Sequence, residues 1–196
     1  MRNSAAIGLS SIVLVVWGTV LHDPARVLAG QAASPDPALR DSEELRRLRD
    51  QDQADRAPAA IDWSVVGPRD RVRLMRVKEL FAANRLHTAN DFYHAAMVLQ
   101  HGEAPEDFLL AHEFCVVAMR KGKNDVESAW LAAAAEDRFL MNIGRPQRFG
   151  TQYRSEGAGP LRLYTVGDGV TDELRRLMGV PSLAEARAHE AELSKK

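Results

Sequence analysis

One cysteine, Cys115, cannot form an internal disulfide, so the fold has to hold without covalent staples. An excess of either charge is also missing. The 26 basic and 27 acidic residues leave a formal net charge of −1, and no global field favours nucleic acid. The basic run Arg69-Asp70-Arg71-Val72-Arg73 is interrupted by its acid and reads as a solvated helix face. No Gly-x-Ser-x-Gly is present, which removes the usual serine-hydrolase signature. Gly157-Ala158-Gly159-Pro160 is followed by no P-loop lysine and reads as a turn. His112-Glu113 lacks the second histidine of a zincin helix, and His94, His101 and His112 match no ligand spacing. No metal and no cofactor is therefore expected. Cys115 sits among Phe114, Val116 and Val117, which suits a buried apolar thiol.

At the N-terminus, Arg2 precedes an apolar run from Ala5 to Leu21, and small residues follow at Leu28-Ala29-Gly30 and Ala32-Ala33. That order predicts an export signal over residues 1–33, cut after Ala29 or Ala33. The run also stands at the lower limit for a bilayer span, so an uncleaved anchor is the alternative. Both readings put the rest of the chain outside the cytoplasm, periplasmic or secreted in one case and tethered to the inner membrane in the other. Gln31 stands where a lipidated cysteine would be, so no lipid anchor is expected.

Residues 34–60 read as a linker followed by a charged helix whose only leucines are Leu39, Leu45 and Leu48. So thin a stripe predicts an exposed, peripheral helix that ends at Ala57-Pro58. Residues 61–196 read as the helical domain. Its second helix starts near Gly67-Pro68 with Val72, Met75, Leu80 and Phe81 on its apolar side. A third follows Thr88, with Asp91 three residues on in capping-box style. A fourth starts at Pro105 and stops at Gly122, and a fifth runs from Asp125 to Asn142 and stops at Gly144. The short connections favour antiparallel neighbours. Ala132-Ala133-Ala134-Ala135 gives the fifth helix a slim waist. Leu161–Val166 alternates like a strand, with Arg148-Phe149 or Gln152-Tyr153 as its partner. Short helices are expected from Asp172 to Met178 and from Ser182 to Leu193. The fold class is mainly α: an antiparallel bundle or array of helix pairs with a small hairpin-like β element after the fifth helix.

Polar residues on apolar helix faces mark the chemistry. His94 and His101 share a face of the third helix, His112 falls in the stripe of Phe108, Cys115 and Met119, and Asp137 in that of Trp130, Ala134 and Met141. A buried aspartate needs a partner, and His112, His101 or a nearby arginine is the expected donor. The result is either a structural network or an acid–base pair drawn from His101, His112 and Asp137. After Gly144 the polar groups Arg145, Gln147, Arg148, Thr151 and Gln152 crowd a loop stiffened by Pro146. Such a loop is a binding surface, unless its glutamines only satisfy backbone groups as the chain turns. Arg138, in the last turns of the fifth helix, reaches the same end and suits a carboxylate.

Residues from about Asp50 to Leu183 resemble a bacterial family known as domain-of-unknown-function family 6624. The likeness is carried by Asp52-Gln53 with Arg56, by Val98-Leu99-Gln100-His101-Gly102, and by Asp137-Arg138. It continues in Gly144-Arg145-Pro146-Gln147-Arg148-Phe149-Gly150-Thr151-Gln152, Leu174-Arg175-Arg176 and Val180-Pro181-Ser182-Leu183-Ala184-Glu185. The resemblance implies a mostly helical, often exported protein and no particular reaction. It implies that a shared site lies at Gln100, His101, Asp137, Arg138, Gln147, Thr151 and Gln152. The leading expectation is a non-enzymatic binding or interaction module with an envelope protein or a small polar ligand as partner. The alternative is a small hydrolase-like enzyme using a His/Asp pair. Nucleic acid is not an expected partner, and a membrane is one only through an uncleaved N-terminus.

Overall fold

The computed structural model describes residues 40–58, 60–155 and 159–193. The expected export segment at 1–33, most of the linker and the Gly157-Ala158 part of the expected turn lie outside the described residues. Seven helices are present among the described residues: α1 (Glu43–Arg56), α2 (Trp63–Ala82), α3 (Ala89–Leu99), α4 (Pro105–Arg120), α5 (Val126–Asn142), α6 (Asp172–Leu177) and α7 (Leu183–Leu193). Strands β1 (Tyr153–Arg154) and β2 (Arg162–Leu163) form an antiparallel pair after α5, with Tyr153 opposite Leu163. No described helix is long and apolar enough to cross a membrane.

Local chemistry sets the helix starts. The Ser42 hydroxyl accepts the Leu45 N–H at the head of α1, and Asp125 accepts the Ser128 N–H at the head of α5. At α3, Thr88 and Asp91 cap each other's backbone. Asp91 reaches further than its own helix. Its Oδ1 also accepts the Ser42 N–H at 2.7 Å, so one buried carboxylate fastens the starts of α1 and α3 together. Pro105 opens α4 where a missing N–H costs nothing. Gly144, at φ 72°, lets the chain leave α5 in the left-handed region, where a side chain would be strained.

The main core lies between α3, α4 and α5. Ala95, Ala96, Ala111, Ala118, Leu131, Ala132 and Ala135 are fully buried in it. Methyl-sized side chains allow close backbone approach, and Phe114, Leu99 and Tyr93 fill the remaining space. Cys115 is sealed in the same core, and burial pushes its thiol up to about 12. A second, smaller core joins Ala133 to Phe149, Val170 and Val180, and it seats the post-helix segment on α5.

Two expectations are corrected. The charged helix α1 is not peripheral, because Leu45 and Leu48 enter the main core and Asp52 is fully buried. These three share one helical face, whose last member is polar. The apolar side of α2 is also different. Val66, Val77 and Leu80 face inward together with Arg73, while Val72 and Met75 are 66% and 61% exposed. The inward face was hidden in the sequence because one of its members is a buried arginine, paired with Asp55 and Asp70.

Candidate functional site

Asp137 is fully buried and accepts four hydrogen bonds, none of them from a histidine or an arginine side chain. Its Oδ1 accepts the Arg148 N–H at 2.7 Å and the Phe149 N–H at 2.9 Å. Its Oδ2 accepts the Thr151 N–H at 3.0 Å and the Thr151 hydroxyl at 2.8 Å. The expected His–Asp137 contact is therefore corrected. The carboxylate satisfies backbone donors of a turn that forms no ladder of its own.

The other side of the same turn is held by Arg175, a buried residue of α6 that was not picked out by its periodicity. Its Nε donates to the Phe149 carbonyl at 3.0 Å, Nη1 to the Val170 carbonyl at 2.9 Å and to Asp172 Oδ1 at 3.0 Å, and Nη2 to the Arg148 carbonyl at 3.2 Å. Residues 148 and 149 thus have both N–H groups on a carboxylate and both carbonyls on a guanidinium.

Gln147 is fully buried and its amide is used up inside the turn. Nε2 donates to the Gln152 and Tyr164 carbonyls, and Oε1 accepts the Gln152 N–H. Its backbone N–H donates to the Thr165 carbonyl, and its carbonyl accepts the Gly167 N–H. Gln147 and Thr151 therefore shape the turn, Gln147 through its fully buried amide and the half-buried Thr151 through its N–H and hydroxyl on Asp137. Arg145 is different: it is exposed, and its side chain makes no hydrogen bond or ion pair among the described residues.

Arg138 joins this turn to the end of α3. Its Nε donates to Gln152 Oε1 at 2.9 Å, and its Nη1 to the Gln100 carbonyl at 2.8 Å and Gln100 Oε1 at 2.7 Å. Burial, helped by the like charge of Arg56 and opposed by Asp52, pulls its guanidinium down to about 10. His101 follows Gln100 directly.

A His–Asp pair does exist, but its acid is Asp52 of α1. His101 Nδ1 stands 2.9 Å from Asp52 Oδ1. Asp52 Oδ1 also accepts from Arg56 Nη1 at 3.0 Å, and Oδ2 from Gln53 Nε2 at 2.8 Å. Arg56 continues to Asp70 at 2.7 Å, Asp70 to Arg73 at 2.5 Å, and Arg73 to Asp55 at 2.8 Å. This chain of alternating charge runs between α1 and α2 and ends at the imidazole. Burial, offset by Asp52, lowers the His101 proton affinity below the ordinary value of 6.5. His101 is therefore neutral near pH 7, with its Nδ1 proton directed at Asp52 and Nε2 left as an acceptor.

His112 stands apart. Its Nδ1 lies 2.9 Å from the Ala132 carbonyl, a neutral partner that fixes the ring between α4 and α5. It has no carboxylate to work with among the described residues. The sequence-derived set thus divides: Gln100, His101, Arg138 and Gln152 are linked by contacts or chain adjacency, Asp137, Gln147 and Thr151 build the turn, and His112 is separate. Two cavities, of 740 and 530 Å³, lie elsewhere. The first is lined by α1 residues from Glu43 to Ala54, and the second is a groove between α1 and α2 lined by Ala54, Pro68, Val72 and Arg73 among others. No cluster of three or more His, Cys, Asp or Glu side chains suited to a metal ion is found among the described residues.

Asp52 and Arg175 were the residues missed by periodicity. Both fall in motifs that carry the family resemblance, Asp52-Gln53 with Arg56 and Leu174-Arg175-Arg176. No family model matches the chain, and no match is found among curated proteins or solved structures.

Proposed function

We propose that this chain is a non-enzymatic binding module of the bacterial cell envelope, with its recognition surface at Arg138, His101, Gln100, Gln152 and the exposed Arg145. The observation that carries this reading is the rigidity of residues 147–152. The side chains of Asp137, Arg175 and Gln147 hold the backbone N–H groups of Arg148, Phe149, Thr151 and Gln152 and the carbonyls of Arg148, Phe149 and Gln152 before any ligand arrives. Pre-organisation of this kind lowers the entropy cost of binding. The basic start and apolar run of residues 2–21 support a location outside the cytoplasm. The resemblance to domain-of-unknown-function family 6624 supports Gln100, His101, Arg138 and Gln152 among these positions. A panel of small neutral and charged polar compounds, screened by amide chemical shifts on the full chain, tests the reading. Perturbations are expected to cluster at residues 100–101, 138 and 145–152. Binding that maps to another surface, or no binding across the panel, would defeat it.

The His101–Asp52 contact favours a second reading, a small hydrolase-like enzyme. Asp52 would orient the imidazole through Nδ1, Nε2 would take a proton from water, and Arg138 would steady developing negative charge. A base of this kind works only when neutral, so ester hydrolysis is expected to fall as the pH drops through a midpoint below 6.5. Replacement His101→Gln is expected to remove roughly 10²–10⁴-fold of the rate. A flat pH profile, or an unchanged rate in that variant, would eliminate this reading.

A further inference from the structure

Arg138 differs from the other well-buried arginines of the described structure. Arg56 lies against Asp52 and Asp70, Arg73 against Asp55 and Asp70, and Arg175 against Asp172. Arg138 is held by three oxygens, all from neutral groups: the Gln100 carbonyl, the Gln100 amide and the Gln152 amide. No carboxylate of the described residues forms an ion pair with it. Its Nη2 has no hydrogen-bond partner among them, and that atom is not among the sealed ones. Asp52 acts on this charge from a distance but is itself paired with Arg56 and His101. A partly desolvated cation that no direct ion pair meets is costly, and a purely structural tether between two amides and a carbonyl needs no charge. The two glutamines also aim the fork. They occupy Nε and both hydrogens of Nη1, so the donors left over are the two of Nη2.

We propose that Arg138 binds the carboxylate of a small monoanionic acid, completing the ion pair that the fold leaves open. This rests on the binding-module reading and names the ligand class of that same site. One charge suits the surroundings better than two. Asp52 lies close enough to act on Arg138 electrostatically, and its repulsion of an anion grows with each charge the anion carries. His101 stands beside this head, close enough for its charge to be felt, and its neutral Nε2 offers an acceptor to a hydroxyl on the same ligand.

The test uses the full chain, labelled so that the Arg138 Nε–H resonance is visible, with sodium acetate as probe and acetamide as its neutral counterpart at constant ionic strength. Acetate is expected to give a saturable shift at millimolar concentration, with affinity roughly tenfold or more above that of acetamide. In Arg138→Lys the charge stays but the fork is lost, and acetate affinity is expected to drop by roughly tenfold. An acetate response no stronger than that of acetamide overturns the proposal, and so does a saturable acetate response that Arg138→Lys leaves unchanged. The comparison of the two probes on the unaltered chain decides the matter even if the variant folds poorly. If neutral polar compounds from the panel bind at this surface and acetate does not, the ligand class is wrong and the binding module survives. If neither binds, both fall.

Discussion

Replacing Asp137 with alanine is expected to lower the free energy of unfolding by about 3–5 kcal/mol, a large share of the stability of a domain this size. The side chain is fully buried and accepts from three backbone N–H groups and one hydroxyl. The N–H groups of Arg148 and Phe149 make no other hydrogen bond among the described residues, so both lose their acceptor. Asp137→Asn keeps one acceptor oxygen and is expected to fall between the two. Urea denaturation followed by circular dichroism measures the effect. A loss below about 1 kcal/mol would mean that water replaces the carboxylate and that the turn is held by other contacts.

Arg175→Met is expected to cost about 2–4 kcal/mol, because a chain of similar length removes four hydrogen bonds and leaves the carbonyls of Arg148, Phe149 and Val170 without their donor. The informative quantity is its coupling to Asp137. The two side chains grip opposite polar groups of the same two residues, so once either is gone the other has little left to hold. The double variant Asp137→Ala/Arg175→Met is therefore expected to lose less than the sum of the single losses by about 1–2 kcal/mol. Additive losses would show that the two side chains stabilise separate pieces of structure. Denaturation midpoints of the three variants against the parent chain decide it.

What the sequence revealed and what it hid follow from the range of each interaction. The starts of α3, α4 and α5 were legible because Thr88 with Asp91, Pro105, and Asp125 with Ser128 act within a single turn of chain. The start of α2, expected near Gly67-Pro68, lies earlier: the helix opens at Trp63 behind the Asp62 cap, and Pro68 falls inside it. The hairpin after α5 was legible from the alternation around Leu161–Val166, although its partner is Tyr153-Arg154, one residue beyond Gln152-Tyr153 and well past Arg148-Phe149, the two expected alternatives. The placement of α1 was not. Its inward face ends in Asp52, whose partner His101 lies in the turn after α3 and whose link to Asp70 of α2 runs through Arg56, and no local pattern marks a carboxylate as core-facing. Arg73 misdirected the reading of α2 in the same way. Asp137 was rightly placed inside, but its partners are main-chain N–H groups, which every residue except proline carries and which leave no mark on sequence.

The four alanines at the waist of α5 have a consequence for how the protein tolerates change. Successive residues of an α-helix point about 100° apart, so four in a row sweep the whole circumference. Ala132 and Ala135 belong to the larger core, Ala133 to the smaller one, and Ala134 is equally sealed. No side of this tract looks outward, and there is no position in it at which extra bulk could be relieved by swinging toward solvent. A change in either core is felt by the other through a rod one methyl thick, and the surface beyond the Pro146 turn inherits whatever displacement that rod undergoes.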